Sequence, residues 1–426
     1  MRRRIELALP RRRAMALLVA ATLLVAGCSG GRTDESTGPV TLSVFWWGDE
    51  GRAERTEAAL KLYTTRHPGT TFKITWQGAS GYYDRLSTQA VGGNAPDLFQ
   101  IDDSRLVDYA GRGLLLDLTA PVAENRIDVT TFPPGLANYG TVGGKVVAVA
   151  SGAETAAMIY NRSRVKQLGV AEPKNGMTYP QLFAWAADVD RRSGGDVAGL
   201  ADASGDLDAY WMWLRAQGKE LYRAGAPGFA AGDTARWFAM WQEARWDDAI
   251  SGPGKPTGER ALTQGTAVAA FGRSGQLAAW QQHVDDDDLA LVACPGDARA
   301  QWARASYYWA GYRGTRDPAA VADVIDFLVN DPQAARLLGD DRGFAPNLEL
   351  RETNGADLAE GAARTAHEFE NAMADRIGPS PAPPPPGHAR LRELLAAAAA
   401  TVATEKYSPE DAAAEFSRAA ATALAS

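Results

Sequence analysis

Apolar and polar positions alternate with two different periods along this chain, and the period changes mark its elements. Val40-Thr41-Leu42-Ser43-Val44-Phe45-Trp46-Trp47 is rich in β-formers and predicts a strand, broken by Gly48-Asp49-Glu50-Gly51. A helix follows from about residue 52 to Arg66, closed by Pro68-Gly69. Phe72, Ile74 and Trp76 alternate with polar residues as a second strand, residues 82–91 read as helix, and Asp97-Leu98-Phe99-Gln100-Ile101 is a third strand. Lys145 to Ala150 and Ala157 to Tyr160 predict two further strands, separated by Ser151-Gly152-Ala153-Glu154. Thr178 caps a helix reaching Arg192, with Leu182, Trp185, Ala186 and Val189 on one face. Residues 208–250 look largely helical and hold five tryptophans. Ala267 to Phe271 and Tyr307 to Tyr312 return to strand, and Ala319 to Val329 is an apolar-striped helix. The remainder is mostly helical, with the stiff spacer Pro383–Pro386. Strand–helix alternation of this kind implies an α/β fold with a largely parallel core.

The first residues follow a different logic. Arg2-Arg3-Arg4 and Arg11-Arg12-Arg13 precede an uncharged apolar run, Ala14 to Ala26, too short for a lasting membrane span. Basic start, short apolar core and small residues read as an export signal. Val25-Ala26-Gly27-Cys28 resembles the lipobox of bacterial lipoproteins, in which the cysteine is acylated and becomes the new N-terminus; Val replaces the usual Leu. The expectation is a signal over residues 1–27, lipid on Cys28, and a polar Gly/Ser/Thr-rich tether over 28–39. Arg12-Arg13 leaves the export route open between the general and twin-arginine pathways.

Charge narrows the partners. The whole chain carries −8; residues 1–27 hold six arginines and one glutamate, so the chain from Cys28 onward carries −13. Such a surface argues against nucleic acid and offers no polybasic patch for anionic lipid, so membrane attachment would be through the lipid anchor alone. With Cys28 acylated, Cys294 has no disulfide partner and reads as a small buried hydrophobe. Four scattered histidines and the run Asp285–Asp288 lack the ligand spacing of zinc or calcium sites, so no metal and no cofactor is expected.

Six segments then carry a resemblance. They are Phe45-Trp46-Trp47-Gly48, Leu86–Ala90 running to Gly93-Asn94-Ala95-Pro96-Asp97-Leu98, Gly111–Leu118, Ala156–Asn161, Gly265–Ala269 and Arg342–Asn347. In this order, behind a lipobox, they resemble the family 1 extracellular solute-binding proteins of ABC transporters, the group of maltose- and oligosaccharide-binding lipoproteins. The resemblance implies a two-lobed, periplasmic-binding-protein-like (type II) fold. Its crossings would lie near Ala148–Ala153, Gly265–Gly272 and Leu337–Gly343, with lobe 1 over 40–149 and 268–336 and lobe 2 over 150–267 and 337–426. It also implies a monomer on the extracytoplasmic face of the cell membrane, which closes on a sugar or oligosaccharide and hands it to permease subunits.

A sugar site needs aromatic faces for C–H surfaces and carboxylates, amides and arginines for hydroxyls. In α/β lobes it lies beyond the carboxyl ends of strands. That rule selects Trp46, Trp47, Asp102 and Asp103, with Tyr82 and Tyr83 at a helix start beside the cleft, and Tyr308 and Trp309, with Trp309 the preferred stacking residue. The crossings that the resemblance implies add Glu154 at the first, the preferred carboxylate, Arg273 and Trp280 after the second, and Arg342 at the third; Trp211 and Trp213 are candidates for a wall of the second lobe. Asp102 has a competing role as a helix cap, and each aromatic a competing role in the core. A glycerophosphodiester is an alternative ligand. A lipid-anchored glycoside hydrolase is the alternative activity; it needs two placed carboxyl groups, one with a raised pKa. No nucleophile elbow, phosphate loop or zinc motif is present in the sequence, so binding without catalysis is expected.

Overall fold

The computed structural model describes residues 38–284 and 287–425. The export signal, Cys28 and nearly all of the tether lie outside these residues, as do Asp285 and Asp286. Residues from Gly38 onward form one compact unit. Eight strands make one sheet: β1 Val40–Trp47, β2 Thr70–Gln77, β3 Leu98–Ile101, β4 Val149–Asn161, β5 Ala198–Leu200, β6 Ala267–Arg273, β7 Leu289–Ala293 and β8 Ala303–Gly311. Their order is β2-β1-β3-β8-β4-β6-β5, with β7 also on β4. The helices of nine or more residues are α1 Glu50–Arg66, α2 Tyr82–Val91, α3 Asp103–Gly111, α4 Tyr179–Ser193, α5 Leu207–Arg215 and α6 Ala231–Trp246. They continue with α7 Pro318–Asn330, α8 Leu348–Ala356, α9 Ala362–Ala374, α10 His388–Ala403 and α11 Pro409–Leu424.

Strand β4 organises the molecule. Its first half, Val149–Thr155, pairs antiparallel with β8, and its second half pairs antiparallel with β6 and β7. A single strand thus joins two differently paired parts of the sheet. The expected break at Ser151–Glu154 does not occur: neighbouring backbone satisfies these residues from both sides. Ala153 exchanges N–H···O bonds of 2.8 and 3.0 Å with Phe344. Gly152 permits this approach, since a Cβ there would collide with the carbonyl of Arg342. The core of the sheet is antiparallel rather than largely parallel. Parallel pairs are confined to β1 with β2 and β3, and to β6 with β5.

Strand β4 runs through the first expected crossing, and the contact of Ala153 with Phe344 lies just past the third. Strands β6 and β7 pair with the far half of β4, so the chain returns to the first half of the sheet only with β8, at Ala303–Tyr307, and not at 265–272. The tryptophan-rich segment is two helices, α5 and α6, around the short hairpin of Tyr222–Arg223 and Ala226–Pro227. Trp211, Trp237 and Trp241 are buried there, in a core that also takes Leu391, Leu395 and Phe416 from α10 and α11. Thr178 caps α4 with Gln181 in a reciprocal capping box. Cys294 is buried, as expected of a small hydrophobe, and burial pushes its thiol pKa up.

Candidate functional site

Where β4, the first half of β8 and the segment 340–344 come together, a cavity of about 470 Å³ opens. Ser306, Tyr307, Asp340 and Asp341 line one side; Glu154, Arg273, Gln276 and Phe344 line the other. Its aromatic face is Tyr307. The edge of the Trp47 ring packs on it at 5.3 Å between centroids, and the Arg52 guanidinium lies over its ring at 5.1 Å. Arg52 is in turn held by Asp341, Nε to Oδ2 2.7 Å.

The polar wall is a chain of ion pairs. Glu154 and Arg304 stand opposite each other in the β4–β8 register. Arg273 at the end of β6 donates to Glu154 Oε1 (3.1 Å) and to Asp208 Oδ2 (2.6 Å). Arg304 donates to Asp208 Oδ2 (3.2 Å) and, through Nε at 3.0 Å, to Asp103 at the start of α3. Arg392 of α10 reaches Asp208 Oδ1 at 3.5 Å. Burial on its own would raise the Asp208 carboxyl pKa, but Arg304, Arg273 and Arg392 together hold it well below the usual carboxylate range. Asp103 starts α3 and Asp208 lies on α5, so Arg304 ties these two helices electrostatically.

Behind the wall lies a buried carboxylate. Glu370 of α9 accepts from the Thr155 N–H (2.6 Å) and the Ser274 hydroxyl through Oε1. Its Oε2 accepts from the Thr155 hydroxyl (3.2 Å) and from Arg351 Nη1 (3.1 Å). Thr155 follows Glu154 and Ser274 follows Arg273, so one group on α9 holds the neighbour of each lining side chain, Thr155 through its backbone and Ser274 through its hydroxyl.

Of the residues selected from sequence, Glu154 and Arg273 line the cavity, and Asp103 pairs with Arg304, which lines the small neighbouring pocket. Trp47 and Tyr83 back it, in contact with each other at 5.5 Å. The others lie elsewhere. Trp46, Tyr82, Tyr308 and Trp309 are core residues; the Tyr82 hydroxyl donates to the Gln100 carbonyl (2.7 Å) and that of Tyr308 to the Tyr139 carbonyl (3.2 Å). Asp102 caps α3, accepting from the Ser104 N–H at 3.0 Å. Arg342 is buried over the Trp309 ring at 5.0 Å, its Nε donating to Gln100 at 2.8 Å, and burial pushes its pKa down to about 9. Trp280 packs beneath Gly272, Trp211 donates to Glu220 at 2.8 Å, and Trp213 stacks on Tyr210. Tyr307, Asp208, Arg304, Asp341 and Arg52 were missed. The alternation Ala303-Arg304-Ala305-Ser306 is the sequence signal that β8 begins early and points Arg304 and Ser306 to one face. Tyr307 left no such signal, because a β-bulge between Ala305 and Tyr308 sets its direction.

Residues 58–365 match the sequence profile of the bacterial extracellular solute-binding protein family. The chain belongs to this family. This solute-binding protein is 31% identical over 157 residues to an uncharacterized lipoprotein in the oleD 5′ region of Streptomyces antibioticus, covering 36% of this chain and 34% of the relative. It is 25% identical over 270 residues to a lactose-binding protein of Rhizobium radiobacter, covering 61% of this chain and 60% of that one. The chain thus spans from a third to three-fifths of the length of these relatives. Its fold matches the family 1 extracellular solute-binding protein of Alicyclobacillus acidocaldarius with a TM-score of 0.77 at 24% identity, over 92% of this chain and 100% of the other. Two-lobed α/β architecture and the solute-binding family are therefore common ground. Among the described residues no cluster of His, Cys, Asp and Glu is placed to hold a metal, and no helix is long and apolar enough to cross a membrane.

Proposed function

We propose that this solute-binding protein captures a sugar or short oligosaccharide in the cavity between its lobes and delivers it to an ABC permease without chemical change. The observation that carries the reading is the cavity's lining: a half-buried tyrosine face, Tyr307, beside carboxylates and an arginine that suit hydroxyls. The likeness to a lactose-binding protein supports the sugar class. Both lobes contribute, so the closed form alone makes every contact and is the form a ligand stabilises. Two carboxyl groups poised for hydrolysis are not part of the reading: Glu154 and Asp208 are each engaged by Arg273, and Asp208 is held ionised, unlike a general acid.

A thermal-shift screen over lactose, other neutral mono- to oligosaccharides and glycerophosphodiesters tests it. A ligand held between the lobes raises the melting temperature by mass action. A screen without any saccharide response, or cleavage of a saccharide during incubation, overturns the reading. Anchoring at the membrane through Cys28 is part of the same proposal and is supported by Val25-Ala26-Gly27-Cys28 and by the Streptomyces lipoprotein relative. Cys28→Ala is expected to leave ligand affinity unchanged while solute uptake by cells falls, because the tether raises the local concentration at the permease.

A further inference from the structure

Three arginines from three elements converge on one carboxylate beside the cavity. Asp208 receives Arg273 from β6, Arg304 from β8 and Arg392 from α10. Arg273 also pairs with Glu154, and Arg304 with Asp103. Three guanidiniums are therefore paired with three carboxylates, and a fourth, Asp206, lies within electrostatic reach of Asp208, Arg392 and Arg273, its pKa raised by burial and by Asp208. Glu154 and Arg273 line both the main cavity and a small annex, and the annex is completed by Asp208, Arg304, Met212 and Trp302. The Asp208 side chain retains 20% of its exposure and that of Arg392 42%, so the cluster is reached from solvent.

An arginine cluster at a binding cavity is a receptor for oxyanions that present two oxygens to a guanidinium: a uronate carboxylate, a sulfate or a phosphate. Here the protein's own carboxylate takes that place. We infer that Asp208 is a specificity-determining residue, an internal counter-ion that occupies the anion position of the arginine cluster and reserves the site for uncharged sugars. The annex holds only about 20 Å³, so an anionic group reaching it from the main cavity must displace the negative group already bound to the guanidiniums it needs. Uncharged hydroxyls meet no such repulsion. The inference rests on the reading of the cavity as a sugar site, and it removes phosphodiesters and uronates from the ligands of the unaltered protein.

Calorimetry and thermal shift on the wild type, Asp208→Asn and Asp208→Ala, at low and high salt, test it, with digalacturonate and sulfate as anionic probes and lactose as the neutral one. Asp208→Asn is nearly isosteric and Asp208→Ala removes the group, so a folding defect in one leaves the other to decide. The expected result is an affinity for digalacturonate at least about tenfold above wild type, a parallel gain for sulfate, and loss of both gains at high salt. Adding Arg304→Gln to Asp208→Asn is expected to abolish the gain, which locates it at the cluster. Variants that bind both anions no better than wild type overturn the inference, as does a wild type that takes digalacturonate as well as it takes lactose. Failure of lactose to bind wild type speaks against the sugar reading alone, because the sulfate comparison between wild type and variant needs no sugar.

Discussion

Glu370→Ala isolates the energetics of the site's support. The pair Glu370–Arg351 is 1% exposed on each side, and the same carboxylate accepts from the Thr155 N–H and the Ser274 hydroxyl. Removing it leaves a buried, uncompensated guanidinium, which costs about 3–5 kcal/mol, before the orphaned Thr155 N–H is considered. For a folded unit of Gly38–Ser426, roughly 2 cal/mol/K per residue gives an unfolding entropy near 0.8 kcal/mol/K, so the melting temperature falls by about 4–6 °C. The double variant Glu370→Leu/Arg351→Met removes both charges together and is expected to melt above Glu370→Ala, because apolar replacement of a whole buried pair is far less costly than breaking it. Thermal and urea unfolding of wild type, Glu370→Leu, Arg351→Met and the double variant form the cycle. A Glu370→Ala melting point within about 1 °C of wild type, or losses in the double variant equal to the sum of the singles, refutes the coupling argued from the geometry.

Glu154→Ala is expected to weaken saccharide binding at least about tenfold by calorimetry, the scale for losing a charged hydrogen-bonding group; unchanged affinity would misplace the ligand. His388 is held neutral by burial and by Arg392, with its pKa pushed down to about 4. The unfolded chain takes up that proton near pH 6.5, so stability present at neutral pH is lost as pH falls from about 6.5 towards about 4, by at most about 1.4 kcal/mol per unit. Urea unfolding of His388→Gln should show a flatter profile across that window than wild type. Gly152→Ala drives a Cβ into the Arg342 carbonyl at the crossings. It should lower both the melting temperature and ligand affinity, the latter because the lobes no longer meet in register.

Sequence periodicity reached most elements because each carries its own signal. Thr178 with Gln181 announces a helix start, and Val40–Trp47 can hardly be anything but a strand. What escaped it depends on partners far away in the chain. Ser151-Gly152-Ala153-Glu154 reads locally as a break, yet β8 on one side and Phe344 on the other make it the middle of the longest strand. The same holds at the site. Glu154 and Arg273 stand at a crossing and at a strand end, where a positional rule finds them. Asp208 and Arg304 acquire meaning only through pairing across several elements. The aromatic choice fell on Tyr308 and Trp309, and the structure puts Tyr307 at the cavity, because alternation does not foresee the bulge that turns it outward.

The pairing of β3 with β8 bears on how the molecule comes into being. Leu98–Ile101 gains its second neighbour only from a strand about 200 residues further along, and closing so long a loop is slow beside helix formation. Until β8 has been synthesised, the apolar Leu98-Phe99-Gln100-Ile101 keeps an open edge that another chain could pair with, so the sheet is completed only late in synthesis.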